Sequence, residues 1–162
     1  MRKIFLIFSL LMCCNTFSAD FIKVGESRMS YLFWDIYDAK LYTHTGKYQH
    51  MTHPIKFSLR YLKDIKKEDI VNATNEQWQH LGKSELISRY SQTLLKLWPD
   101  IQKGDTLTLI TSDTGESTFY FNTLALGEIN DPEFAEQFLA IWLSKHTSQP
   151  LLRKQLLGLS DD

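Results

Sequence analysis

Apolar residues fall at alternate positions over 55–62, with Ile55, Phe57, Leu59 and Tyr61 on one side and Lys56, Ser58 and Arg60 on the other. That period of two predicts a half-buried strand. Residues 28–43 are rich in Tyr, Phe, Trp and Ile and contain no Pro or Gly, so they read as strand material broken by a tight hairpin near Ser30-Tyr31-Leu32. Phe33, Tyr37, Ala39 and Leu41 alternate onto one face, with Asp35 on the same face near its start, and Thr45-Gly46-Lys47 ends the run. The period then changes to that of a helix. Residues 66–81 carry Ile70, Thr74, Trp78 and Leu81, with Gly82 placed to stop them. Ser84 is set to cap a second helix, striped by Leu86, Tyr90, Leu94 and Leu97 and ended by Trp98-Pro99. Residues 106–111 and 117–121 flank Asp113-Thr114-Gly115 as a hairpin, and a short extension follows over 124–129. Asp131-Pro132 opens a helix bearing Phe134, Phe138, Ile141 and Trp142, and a last helix spans about 150–157 before Gly158. Strands and helices come in groups, so the class is α+β: a mostly antiparallel sheet with helices on one face.

The first residues follow a different logic. Arg2 and Lys3 precede an apolar run over 4–14, and 15–19 turn small and polar. This is the pattern of a secretory signal peptide, and the run falls short of the ~20 residues that span a bilayer. Residues 1–18 are read as the signal, with cleavage after Ala19 as the alternative, and 19–162 as a single domain. Cys13 and Cys14, the only cysteines, both lie in that leader. The domain therefore has no disulfide, no thiolate nucleophile and no cysteine metal site. A formal net charge of −1 offers no nucleic-acid footprint. His50-Met51-Thr52-His53 is the only metal-like run and lacks a third ligand nearby, so it reads as a solvated loop. Nucleophile elbows, phosphate loops and paired carboxylates are absent from the sequence, and no cofactor is implied.

Several segments resemble the exported bacterial branch of the chalcone isomerase-like family. They are Val24-Gly25-Glu26-Ser27-Arg28, the run from Phe33 to Tyr42, Trp98-Pro99-Asp100 with Lys103-Gly104-Asp105, Ser117 to Asn122, and Ala140 to Ser144 leading to Leu152 through Gly158. The resemblance implies an open-faced β-sandwich, a large antiparallel sheet backed by a helical layer, with a ligand cleft between the two. It implies either a flavonoid-cyclising isomerase or a non-catalytic fatty-acid-binding protein. In the binding members an Arg on an early strand and a Tyr on the next strand hold a carboxylate; by motif position these are Arg28 and Tyr37. In true isomerases the Tyr37 position is a Thr, so Tyr favours binding. The isomerases' helix Tyr falls at Tyr90, without its Lys and Asn companions. Asn122-Thr123 stands where the family has Asn-Gly.

The expected function is thus an exported, periplasmic or secreted domain that binds a small amphipathic or carboxylate ligand without catalysis. One alternative is an intramolecular lyase (isomerase) in which Arg28, Tyr37 and Tyr90 stabilise an enolate. Another is a protein-interaction module with a filled cleft. Residue types alone allow Arg28 and Tyr37 to converge as neighbours across a hairpin. They equally allow Arg28 to pair with Asp35 or Asp38. Trp34, Trp78, Trp98 and Trp142 are candidates to line a cavity, with core packing the competing role for Trp78 and Trp142.

Overall fold

The computed structural model describes residues 20–159; the leader read over 1–18 lies outside them. Strands β1 (Ile22–Tyr31), β2 (Trp34–Thr43) and β3 (Ile55–Tyr61) come first. Helices α1 (Lys67–His80) and α2 (Glu85–Leu97) follow, then β4 (Thr106–Thr111), β5 (Ser117–Phe121), β6 (Leu124–Ile129), α3 (Pro132–Leu143) and α4 (Pro150–Leu156). The six strands form one sheet in chain order, β1 to β6, and every pairing is antiparallel. The α+β expectation holds. The first strand begins at Ile22, six residues ahead of the aromatic-rich run, because Lys23, Gly25, Glu26 and Ser27 carry no apolar period but pair with β2.

One face of the sheet is dry. Ala39, Leu41, Phe57, Leu59, Leu107, Leu109 and Phe119 are all buried on it. The helical layer meets it with Phe134, Phe138 and Trp142 of α3, and Phe119 packs against both Phe134 and Phe138. Trp98, at the end of α2, seals the cluster against Phe119 and Phe138. The other face stays open and alternates in charge. Glu26 lies opposite Lys40, and Asp38 is flanked by Arg28 and Arg60.

Local signals explain most helix ends. Asp131 caps α3, its side chain accepting from the Glu133 amide at 3.1 Å, with Pro132 at the first helical position. Trp98 leaves α2 in extended conformation ahead of Pro99. Gly82 has φ +70, the left-handed residue that ends α1. Ser84 departs from expectation: it is already helical, and its side chain makes no cap bond. The first turn of α2 is instead closed by backbone, with Leu86 N donating to Lys83 O and Ile87 N to Ser84 O.

The β1–β2 hairpin carries two irregularities with consequences. Tyr31 pairs with Trp34, so Leu32 and Phe33 make a two-residue turn, with Leu32 at φ +54. Phe33, expected on the buried face, is 98% exposed at this tip. One pair further in, Ser30 lies opposite Asp35, but the next pair is Met29 with Tyr37. Ile36 is the extra residue, and its carbonyl accepts instead from Leu62 N at 2.9 Å. Such a bulge slips the register by one and reverses which side chains share a face.

Helix α4 lies across β1 at closest backbone range. A methyl group on Gly25 would stand 2.2 Å from Gln155 O and 2.5 Å from Leu156 O, and Ser27 Oγ bonds Gln155 Oε1 at 2.5 Å. Gly25→Ala is therefore expected to lift α4 from the sheet and cost about 1–3 kcal/mol, as overpacking does. Chemical denaturation with the tryptophan signal checks this; an unchanged midpoint would mean α4 is not seated on β1.

Candidate functional site

The register slip decides where the sequence-selected residues go. Were Ile36 paired in the ladder, Met29 would lie opposite it and Arg28 opposite Tyr37. With Ile36 bulged out, Arg28 lies opposite Asp38 and Tyr37 opposite Met29. Arg28 therefore projects from the open face, while Tyr37 turns inward with Ala39 and Leu41. The expected convergence of Arg28 and Tyr37 does not occur, and Asp35 shares Arg28's side instead of Tyr37's. Arg28 forks onto Asp38, Nε to Oδ1 at 2.7 Å and Nη2 to Oδ2 at 3.0 Å, and reaches Asp35 Oδ2 at 3.2 Å. Ser30 Oγ donates to the other Asp35 oxygen at 2.6 Å. The bond to Arg28 holds the Asp38 carboxyl below its ordinary range, and the bond to Asp38 raises Arg28 in turn. Two carboxylates already share this one guanidinium. It lines an open groove of about 750 Å³ with Glu26, Asp38, Lys40 and Gln155, and Tyr37 is not among the lining residues.

Tyr37 sits where the sheet meets α3. Its oxygen accepts from Trp142 Nε1 at 2.9 Å. Since a phenol both donates and accepts, its own proton is still to be placed, and no acceptor takes it among the described residues. Tyr61 meets Tyr37 edge to face, with centroids 5.8 Å apart. Burial pushes the Tyr37 phenol up to about 12, the Trp142 bond pulling slightly the other way, and burial raises Tyr61 as well. Trp142 in turn packs on Phe57 at 4.8 Å and Phe138 at 5.1 Å, so aromatic rings fill the seam beside Tyr37. Sequence reasoning missed Tyr61 as a partner of Tyr37 and missed the Trp142 donor. The inward alternation of 55–61 could have pointed to Tyr61; nothing local links Trp142 to Tyr37 across the chain.

Tyr90 is spent elsewhere. Its hydroxyl donates to Asp131 Oδ2 at 2.7 Å, the same oxygen that Arg89 Nη2 reaches at 2.7 Å. Its ring packs between Trp78 and Phe134. Tyr90 thus ties α2 to the start of α3 and joins neither Arg28 nor Tyr37. Of the four tryptophans, Trp78, Trp98 and Trp142 are core and Trp34 is exposed. Trp98 Nε1 and Ser117 Oγ are buried without a hydrogen-bond partner among the described residues. The His50 to His53 run divides. His50 faces Glu136 at 3.4 Å, and His53 Nδ1 meets Thr111 Oγ1 at 2.8 Å. No metal-ligand cluster exists among the described residues.

A second open cleft, of about 540 Å³, is bordered by Ile36, Lys63, Asp69 and Ile101 and crossed by the Lys66–Asp100 ion pair at 2.8 Å. It is as polar as it is apolar, unlike a lipid tunnel.

Because Tyr37 ionises only near 12 in the fold but from about 10 when exposed, its contribution to stability is complete below pH 10 and is lost as pH rises through about 12. Tyr37→Phe is expected to remove that part of the alkaline loss while the contributions of Tyr61 and Tyr90, whose phenols burial also raises, persist. Denaturant midpoints measured across this pH window check it; an unchanged slope would mean Tyr37 is solvated.

The fold has counterparts among known proteins. The fold superposes on a fatty-acid binding protein of Arabidopsis thaliana with a TM-score of 0.63 at 13% identity, covering 85% of this chain and 86% of that one. An uncharacterized protein of Haemophilus influenzae is 27% identical over 140 residues, 83% of this chain and 67% of that protein. The family model described as chalcone isomerase-like matches residues 25–158. With that match running from the strand under α4 to the glycine that ends it, the chain belongs to the chalcone isomerase-like family.

Proposed function

We propose that this chain is an exported, non-catalytic member of its family that holds a small amphipathic lipid at the sheet–helix seam, Tyr37 donating to the lipid's polar head. The observation that carries the reading is the Tyr37 phenol: half-buried at the seam, fixed by Trp142, and with its proton unspent among the described residues. The fatty-acid binding protein that shares the fold supports the ligand class. The non-catalytic part draws support from the divergence of the candidate catalytic groups. An enolate needs preorganised donors aimed at one oxygen. Arg28 projects from the opposite face, and Tyr90 is committed to Asp131. The leader supplies the exported part.

A second reading, an interaction module with a filled cleft, draws on the packing of Phe57, Phe138 and Trp142 beside Tyr37. In the ligand reading the acyl chain enters by displacing part of this packing.

Native mass spectrometry of protein purified from its own host should reveal a retained small molecule, and a medium-chain fatty acid should bind saturably. Tyr37→Phe is expected to weaken that binding about three- to tenfold, the worth of one neutral hydrogen bond. Arg28→Ala should leave it within about twofold; a loss of tenfold or more would return Arg28 to the ligand site. Absence of both retained molecule and saturable binding would favour the interaction module.

Export has its own check. N-terminal sequencing of the protein recovered outside the cytoplasm is expected to begin at Ala19 or Asp20. A chain that keeps Met1, or carries lipid on Cys13 or Cys14, would contradict it.

A further inference from the structure

The tip of the β1–β2 hairpin is built against the interest of the fold. Leu32 and Phe33 are 77% and 98% exposed, and Tyr31 and Trp34 are each 65% exposed. Leu32 also occupies a left-handed backbone position, φ +54, in a two-residue turn where Gly, Asn or Asp is the unstrained choice. A sequence shaped only for folding would place a small polar residue there. An apolar one is held instead, at a conformational cost and with no packing return.

The chemistry changes with distance from the sheet. The apex is purely apolar, Leu32 and Phe33. The shoulders are Tyr31 and Trp34, rings with one polar atom each. The base is ionic, with Arg28, Asp35 and Ser30 already joined to one another. Lys63 stands over the Trp34 ring at 5.6 Å and enters no ion pair with a described residue. This order, apolar then amphipathic aromatic then charged, is the order of a bilayer surface from acyl chain to headgroup to phosphate. A protein pocket would ask for no such layering. We propose that this tip inserts into a lipid surface, Leu32 and Phe33 reaching the acyl boundary, Tyr31 and Trp34 lying at headgroup level and Lys63 meeting lipid phosphate. Lys63 also borders the cleft that contains Asp64, Asp69 and Asp100. The cationic share is therefore one charge, and apolar contact carries the affinity. The inference stands on the tip's own residues, whether or not a lipid is held beside Tyr37.

Trp34 is a local reporter, since Trp78, Trp98 and Trp142 are 0%, 2% and 7% exposed. The apolar run over 4–14 contains no Trp, so a membrane contact made by that segment leaves the reporter silent. The full chain, processed or not, is mixed with vesicles of phosphatidylcholine and phosphatidylglycerol. Trp34 emission should shift to the blue and be quenched by lipids brominated high on the acyl chain. Phe33→Asp should cut this partitioning at least about tenfold. Leu32→Asn should cut it several-fold while leaving the thermal midpoint equal or higher, because Asn suits the left-handed position. A merely structural Leu32 would instead lose stability. Three results would overturn the inference: no lipid-dependent shift, quenching that survives both substitutions, or a blue shift that grows with protein concentration without vesicles. The last would assign the tip to a second copy of the chain.

Discussion

Everything in this molecule depends on covering one face of a six-stranded meander. A sheet with a single apolar face is stable only if something dry lies against it. Here that cover is aromatic. Phe134, Phe138 and Trp142 of α3 meet Phe57 and Phe119 of the sheet, and Trp98 closes the side. Truncating one such ring costs about 3–5 kcal/mol, a large share of what a domain of this size has in reserve. The helices are held to each other through the same groups. Trp78 Nε1 donates to Gln137 O at 3.1 Å, and Tyr90 reaches the capping Asp131.

The same packing would set the terms for the proposed ligand binding. The aromatic rings that stabilise the seam also occupy it, so in that proposal an acyl chain would exchange one apolar contact for another. Such an exchange would be nearly neutral in apolar area, and affinity would rest on the polar head and on how readily Trp142 yields. The Tyr37–Trp142 bond is the natural point of adjustment, since it is polar, partly exposed and local. On the open face, by contrast, charges satisfy one another in place. Arg28, Asp35 and Asp38 form a closed set that gives the β1–β2 edge a polar surface and discourages pairing with another sheet.

Local residue patterns laid out nearly all the elements, the start of β1 excepted. Alternation in 55–61, the stripes of α2 and α3, the Asp131-Pro132 start and the Asp113-Thr114-Gly115 turn are local instructions, and the α+β class follows from their order. These patterns also selected the buried face of β3 and, past the bulge, of β2, because there the period is two and the apolar set is unambiguous. Ser84 was misjudged because a serine before a helix can be overtaken by backbone bonds from the preceding turn. Whether Arg28 and Tyr37 meet was settled by the folded register, which keeps them apart. Ile36, one uncounted residue, turns them to opposite faces, and no local pattern marks it as a bulge. It exists because its carbonyl is taken by Leu62 at the end of β3, a partner distant in sequence. Tyr37 likewise acquired its donor from a helix more than a hundred residues later. Short-range residue chemistry fixes what each segment is; register and long-range hydrogen bonds, invisible along the chain, fix which side chains meet.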